Sequence, residues 1–138
     1  MTAFEGDTGP YLQYAHARLC SIGRRAELTP EEISSADLSL LTEPHALDLI
    51  RMLAQYPDVV QNTLKTLEPT TILGYLFRMT HSLSSSYSHL RIVGDDKKVA
   101  ADGSERELSK ARMALYEAAR VVLNNGMRLL GLSPVERM

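Results

Sequence analysis

The sequence predicts an all-α fold, a bundle of about six helices, on three observations. Apolar residues recur three and four apart along most of the chain, and no strand-like alternation of useful length interrupts them. Two capping-box strings, Thr29-Pro30-Glu31-Glu32 and Ser104-Glu105-Arg106-Glu107, announce helix starts. Breaks at Tyr56-Pro57, Glu68-Pro69 and Gly131 followed by Pro134 divide the periodic segments.

The first helix is opened by Gly9-Pro10, because proline suits the first helical turn. Tyr11, Tyr14, Ala15, Leu19 and Ile22 share one of its faces. Arg24 and Arg25 fall in its last turn, where cations suit the carbonyl end of the dipole. The second helix is short: Thr29 caps it, Pro30 takes the first position and Glu32 closes the box. It leads into Leu38, Leu40 and Leu41. Thr42 opens a third helix with Leu47, Ile50, Leu53 and Ala54 as its buried stripe, and Tyr56-Pro57 ends it. Pro57-Asp58 begins a fourth, with Val60, Leu64 and Leu67 facing inward, up to the break at Glu68-Pro69. A fifth runs from Thr70 to about Ile92 on Ile72, Leu73, Leu76, Phe77, Leu83, Tyr87 and Leu90. Residues Gly94 to Gly103 have turn formers at both ends and no periodicity, which reads as a surface loop. Ser104 launches the sixth and longest helix, with Leu108, Ala111, Leu115, Ala118, Val122, Asn125 and Leu129 on one side. Gly131 is its C′ residue. There is no internal repeat, and no biased tract beyond Ser84-Ser85-Ser86.

The chain has 138 residues, 44% of them apolar, which suits one domain, 1–138, with a core of its own. The one cysteine, Cys20, allows no intrachain disulfide and no cysteine-rich zinc site, in keeping with a reducing compartment. Apolar runs fall far short of the roughly 20 residues that span a bilayer, and Met1 to Asp7 does not read as a secretory signal. A net charge of −2 argues against nonspecific nucleic-acid binding, yet leaves room for a local basic face. From Glu105 to Met138 the six cations Arg106, Lys110, Arg112, Arg120, Arg128 and Arg137 outnumber the four carboxylates Glu105, Glu107, Glu117 and Glu136.

His16, His45, His81 and His89 are spread over three predicted helices. His81 and His89 lie about 80° apart around a helix, so they do not form a metal pair. The reading is exposed or capping imidazoles, with no metal site. Cys20, beside Leu19 and Ile22, reads as a small core residue rather than a nucleophile. Gly6-Asp7-Thr8-Gly9 lacks the lysine and the preceding strand of a phosphate loop and reads as a turn feeding a helix. Tyr11 and Tyr14 with Arg18 one turn on admit two readings, core tyrosines or a platform for unpaired bases and phosphates. The Ser82 to His89 stretch beside Tyr87 has the same two: a close-packed surface or a polar platform. No nucleophile–base pair is apparent, and no catalytic residue is assigned.

Several longer blocks resemble a known family. They are Gly6-Asp-Thr-Gly-Pro-Tyr-Leu-Gln-Tyr-Ala-His16, Gln55-Tyr-Pro-Asp-Val59, Glu68-Pro-Thr-Thr71, Gly126-Met-Arg-Leu-Leu-Gly-Leu132 and Pro134-Val-Glu-Arg-Met138. Over Phe4 to Met138 the chain resembles the C-terminal helical anticodon-binding domain, the DALR domain, of class I arginyl-tRNA synthetases of the fungal or eukaryotic cytosolic type. The name-giving Asp-Ala-Leu-Arg is replaced here by Leu115-Tyr-Glu-Ala-Ala-Arg120. The resemblance implies an anticodon-binding helical bundle that grips the anticodon loop of arginine tRNA. It implies Tyr14 and Tyr87 as stacking residues, Arg18 as a phosphate or base contact and Met138 as closing the pocket. The family's His-Ile-Gly-His and Lys-Met-Ser-Lys-Ser motifs are absent from the sequence, so ATP and arginine sites are expected only in a catalytic domain outside it. The expected partners are arginine tRNA and that catalytic domain, with no DNA and no membrane, for a monomer that is no enzyme by itself and uses no cofactor. The implied compartment is the cytoplasm, with the mitochondrial tRNA pool as the other possibility. The alternative reading is a helical protein–protein interaction module derived from a synthetase domain.

Overall fold

A computed structural model describes residues 3–94 and 98–138, with residues 3–8 described by their backbone alone. Among the described residues there are six α-helices, one 3-10 turn and no strand. The helices are α1 (Ala3–Ala26), α2 (Pro30–Ser34), α3 (Pro44–Ala54), α4 (Tyr56–Thr66), α5 (Thr70–Ser86) and α6 (Gly103–Leu129), and the 3-10 turn is Leu38–Leu40. The long helix α6 packs against α1, α2, α3, α5 and the 3-10 turn, while α4 sits outside on α3 and α5.

Helix α1 starts at Ala3, ahead of Gly9-Pro10, so Pro10 lies inside it and Gly6 to Gly9 are helical rather than a turn. Proline removes one N–H from the ladder. Burial of Leu12 and Leu19 holds the turns that follow. Helix α2 forms its capping box as expected: Thr29 Oγ1 accepts from the Glu32 amide at 3.1 Å, and Glu32 Oε1 accepts from the Thr29 amide at 3.3 Å. The Glu32 carboxylate also pairs with Arg106 of α6, which fastens α2 to the bundle.

Helices α3 and α4 depart from their expected stripes. Helix α3 begins at Pro44 with Glu43 at the cap, and Glu43 pairs with Arg112 rather than capping the amides. Its buried face is Ala46 and Leu49, while Leu47 and Ile50 stay partly in solvent. Apolar residues occupy both flanks of this segment, so spacing alone did not fix which face turns inward. Helix α4 buries no side chain completely. It meets the core through Tyr56 and Val59, and leaves Leu64 and Leu67 69% and 81% exposed. Leu67 ends it in the left-handed region at φ 56°.

Helix α5 buries Ile72, Leu76 and Leu83 as expected, with Tyr75 and Met79 beside them, and ends at Ser86. The Tyr75 hydroxyl donates to the Met52 carbonyl at 2.6 Å and the Tyr116 hydroxyl to the Leu90 carbonyl at 2.8 Å, so these two phenols are satisfied by main chain. In the predicted 94–103 loop, residues 95–97 lie outside the described residues; next to them the Gly94 amide donates to the Lys98 carbonyl at 3.0 Å.

Helix α6 starts at Gly103 with Asp102 at its cap and no side-chain cap bond, so the Ser104 box does not form. Arg106 instead donates to the Ala100 carbonyl at 3.0 Å. Ala111 and Leu115 are buried as expected, but Ala118, Asn125 and Leu129 face solvent, and Met113, Tyr116, Ala119, Leu123 and Met127 fill the core. Helices packed on more than one side of α6 widen its buried arc beyond a single stripe. At Gly126 a Cβ would meet Leu76 Cδ2 at 2.7 Å, so the absence of a side chain lets α5 and α6 approach. The helix ends as predicted. Gly131 takes φ 82°, its amide donates to the Arg128 carbonyl at 3.0 Å, and the Leu132 amide donates to the Met127 carbonyl at 2.9 Å. This Schellman motif turns the chain back toward α1.

Candidate nucleic-acid interface

Helix α1 presents two faces. Leu12, His16 and Leu19 point into the core. Tyr14, Arg18, Ser21 and Arg25 follow the opposite stripe, spaced four, three and four apart, and all line one cavity of about 630 Å³. Tyr87, in the turn after α5, lies on its inner wall, and Met138 on its rim. The structure thus brings Tyr14, Arg18, Tyr87 and Met138 together around one opening, although they come from three separate parts of the chain.

Arg24, Arg91 and Arg137 also line the cavity, so that among the described residues five arginines and no aspartate or glutamate side chain surround it. A chain of net charge −2 therefore has a concentrated cationic hollow. The Arg18 guanidinium carbon lies 4.0 Å from the Tyr87 ring centroid, a cation–π contact. The ring of Tyr87 leans on Tyr116 with centroids 5.6 Å apart. Burial pushes the Tyr87 phenol well above its ordinary range, against the opposing pull of Arg18. Among the described residues its buried hydroxyl has no hydrogen-bond partner. Tyr14 and Met138 are 57% and 74% exposed, so both are accessible to a ligand.

The other candidates fall elsewhere. Tyr11 stacks on Phe77 with centroids 5.4 Å apart, away from the cavity. Two serines of the α5 end donate within their own segment, Ser85 to the His81 carbonyl at 3.1 Å and Ser86 to the Leu83 carbonyl at 2.6 Å. His45 and His89 stack with centroids 3.8 Å apart. His16 is buried rather than exposed or capping. Among the described residues no three histidine, cysteine or acidic side chains gather as a metal site would need. Cys20 is partly buried, and burial raises its thiol pKa.

Spacing had assigned Arg24 and Arg25 only to the helix dipole and did not single out Arg91, Tyr116 or Gln13. The shared stripe of Tyr14, Arg18, Ser21 and Arg25 is the sequence signal that could have placed Arg25 at the cavity. Gln13 and His16 contact the segment that ends in Met138: Gln13 bonds the main chain of Ser133 and Val135, and His16 that of Val135.

The family model described as the DALR anticodon binding domain matches residues 12–138. The chain belongs to the DALR anticodon-binding domain family. This DALR domain is 58% identical over 139 residues to the cytoplasmic arginine–tRNA ligase of Saccharomyces cerevisiae, covering 100% of this chain and 21% of that protein. It is 54% identical over 138 residues to the probable cytoplasmic arginine–tRNA ligase of Schizosaccharomyces pombe, again covering 100% and 21%. The chain thus spans about a fifth of the length of these curated relatives. The crystal structure of arginyl-tRNA synthetase from Plasmodium falciparum shares the fold with a TM-score of 0.76 at 23% identity, over 98% of this chain and 22% of that one. In the DALR domain described here, Leu115 to Arg120 lies within α6, where Arg120 Nε donates to the Glu117 carboxylate at 3.0 and 3.1 Å.

Proposed function

We propose that this chain is the anticodon-binding module of an arginine–tRNA ligase, taking the unpaired bases of the arginine tRNA anticodon loop into the cavity between α1 and the α5 turn. The observation that carries the reading is the convergence of Tyr14, Arg18, Tyr87 and Met138 in a hollow ringed by arginines and lined, among the described residues, by no aspartate or glutamate side chain. Single-stranded RNA is recognised by stacking splayed bases on aromatic and guanidinium planes while cations hold phosphates. Tyr14 and Tyr87 supply the rings, Arg18 the guanidinium, and Met138 an apolar edge. The names of the relatives supply the choice of tRNA.

Charging of the tRNA, with its ATP and arginine sites, belongs in this reading to the catalytic part of the parent enzyme. The module acts as a monomer, needs no cofactor, and its proposed partners are arginine tRNA and that catalytic part. The cytoplasm is the proposed compartment, after the names of the fungal relatives; a mitochondrial relative of S. cerevisiae at 47% identity keeps the mitochondrial pool open. No helix among the described residues is long and apolar enough to cross a membrane.

The test is binding of the chain to an arginine tRNA anticodon stem–loop, beside the same RNA with its anticodon changed, at two salt concentrations. Tighter binding to the unaltered anticodon that weakens steeply with salt supports the reading. A second reading, a protein-docking module, draws on the exposed Leu64 and Leu67 of α4. Absence of RNA binding together with salt-insensitive capture of a protein partner would favour it.

A further inference from the structure

We propose that Gln13 and His16 are positioning residues. They grip the segment Ser133–Glu136 by its main chain and so set Met138 on the rim of the cavity. The inference rests on the RNA-binding reading of that cavity.

Gln13 forms a two-point clasp. Its Nε2 donates to the Ser133 carbonyl at 2.8 Å, and its Oε1 accepts from the Val135 amide at 2.8 Å. Pro134 between them has no N–H to offer, so the clasp uses the two residues that flank it. His16, below on the same helix, bonds through Nδ1 to the Val135 carbonyl at 2.8 Å. A carbonyl only accepts, so that nitrogen carries the proton. With Nδ1 as the donor, Nε2 can accept, and the Asn124 side-chain amide lies 3.3 Å from it. The Asn124 carbonyl in turn accepts from Arg128 Nε at 2.8 Å. One tautomer satisfies the whole relay from α6 through α1 to the tail. Arg24 adds a bond to the Glu136 carbonyl at 3.2 Å.

Each of these tail contacts is made to a main-chain atom. The side chains of Ser133, Val135 and Glu136 take no part in them. The route of the tail is therefore fixed by α1 whatever those side chains are, and what it delivers to the cavity is Arg137 and Met138.

The test uses Gln13→Ala and Gln13→Glu. Alanine is the best helix former, so α1 is expected to survive the first substitution. Three readouts are taken: hydrogen exchange at the Val135 amide, the methyl resonance of Met138, and affinity for the anticodon stem–loop. Gln13→Ala is expected to speed Val135 exchange by about tenfold or more while the melting temperature holds within about 2 °C. The Met138 methyl moves to its position in a denatured chain. RNA affinity falls by the same factor as in Met138→Ala, with no further loss when the two are combined. Gln13→Glu keeps the acceptor for the Val135 amide and restores most of its protection. Ser133→Ala and Glu136→Gln change none of the three. An unprotected Val135 amide in the unaltered protein overturns the proposal, as does a Gln13→Ala chain whose Met138 methyl stays in place, or losses that add. If the unaltered chain binds no anticodon RNA, the RNA reading fails alone, and exchange with the methyl signal still decides the anchoring.

Discussion

Arg18 lies over the ring of Tyr87, its guanidinium carbon 4.0 Å from the centroid. The same ring leans on Tyr116, and all three residues line the cavity. A base that stacks on the ring face under Arg18 must displace the guanidinium or lie over it.

Arg18 is therefore expected to matter far more to RNA than to the fold. A cation–π contact at an exposed site contributes about 0.5–1 kcal/mol, so Arg18→Ala lowers stability by no more than that in denaturant titration. Anticodon-loop affinity falls by about 1–3 kcal/mol in the same protein, the scale of one lost stacking contact. Arg18→Lys keeps the charge but loses the flat surface and does not restore binding. Isothermal titration of the two variants checks this; a lysine variant with full affinity would reduce Arg18 to a point charge.

Tyr87 is expected to work through its ring and not its hydroxyl, because among the described residues that buried hydroxyl has no partner. Tyr87→Phe removes an unsatisfied polar atom and is expected to raise stability by about 1 kcal/mol, with RNA binding retained. Tyr87→Ala loses about 1–3 kcal/mol of binding. Loss of binding in the phenylalanine variant would show that the hydroxyl meets the ligand.

Acid is expected to loosen α2 first. The Thr29 amide, and then Arg106, hold the Glu32 carboxyl below its ordinary value of 4.5. A depressed carboxyl contributes stability that is present above the unfolded value and lost as pH falls through the folded one. Stability should therefore drop below about pH 4.5. Glu32→Gln keeps an acceptor for the Thr29 amide, lacks the charge, and is expected to flatten that acid limb. Urea titrations between pH 3 and 7 of both proteins decide it.

Gly126 is expected to tolerate no side chain. A Cβ there falls 2.7 Å from Leu76 Cδ2 and 3.0 Å from Cδ1, and Leu76 is fully buried. Gly126→Ala should cost about 1–3 kcal/mol through overpacking, despite the better helix propensity of alanine. Adding Leu76→Val to it should recover part of the loss, a coupling that a double-mutant cycle in denaturant measures.

Features fixed by a few neighbouring residues were legible in the sequence. The Thr29–Glu32 box and the Gly131 stop need only local chemistry, and both form as read. Faces were less legible. In α3 and α4 apolar side chains lie on more than one side, and only the neighbouring helices select Ala46 and Leu49 over Leu47, or Val59 over Leu64. The gathering of Tyr14, Arg18, Tyr87 and Met138 around one cavity came from resemblance and not from pattern, since no local periodicity links residues of separate elements. The grip on the tail was hidden for a different reason. Its acceptors are peptide carbonyls, which every residue has, so no residue type marks them.

Gln13 and Ser133 meet across 120 positions of chain. Such a pair needs the long intervening loop closed, and the packing of α1 on α6 closes it. The helices can form and pair while the hollow beside Tyr14 still lacks one wall. In the proposed RNA-binding reading the wall that the tail supplies is present only once that grip has formed: a half-folded molecule offers its helices but no finished site.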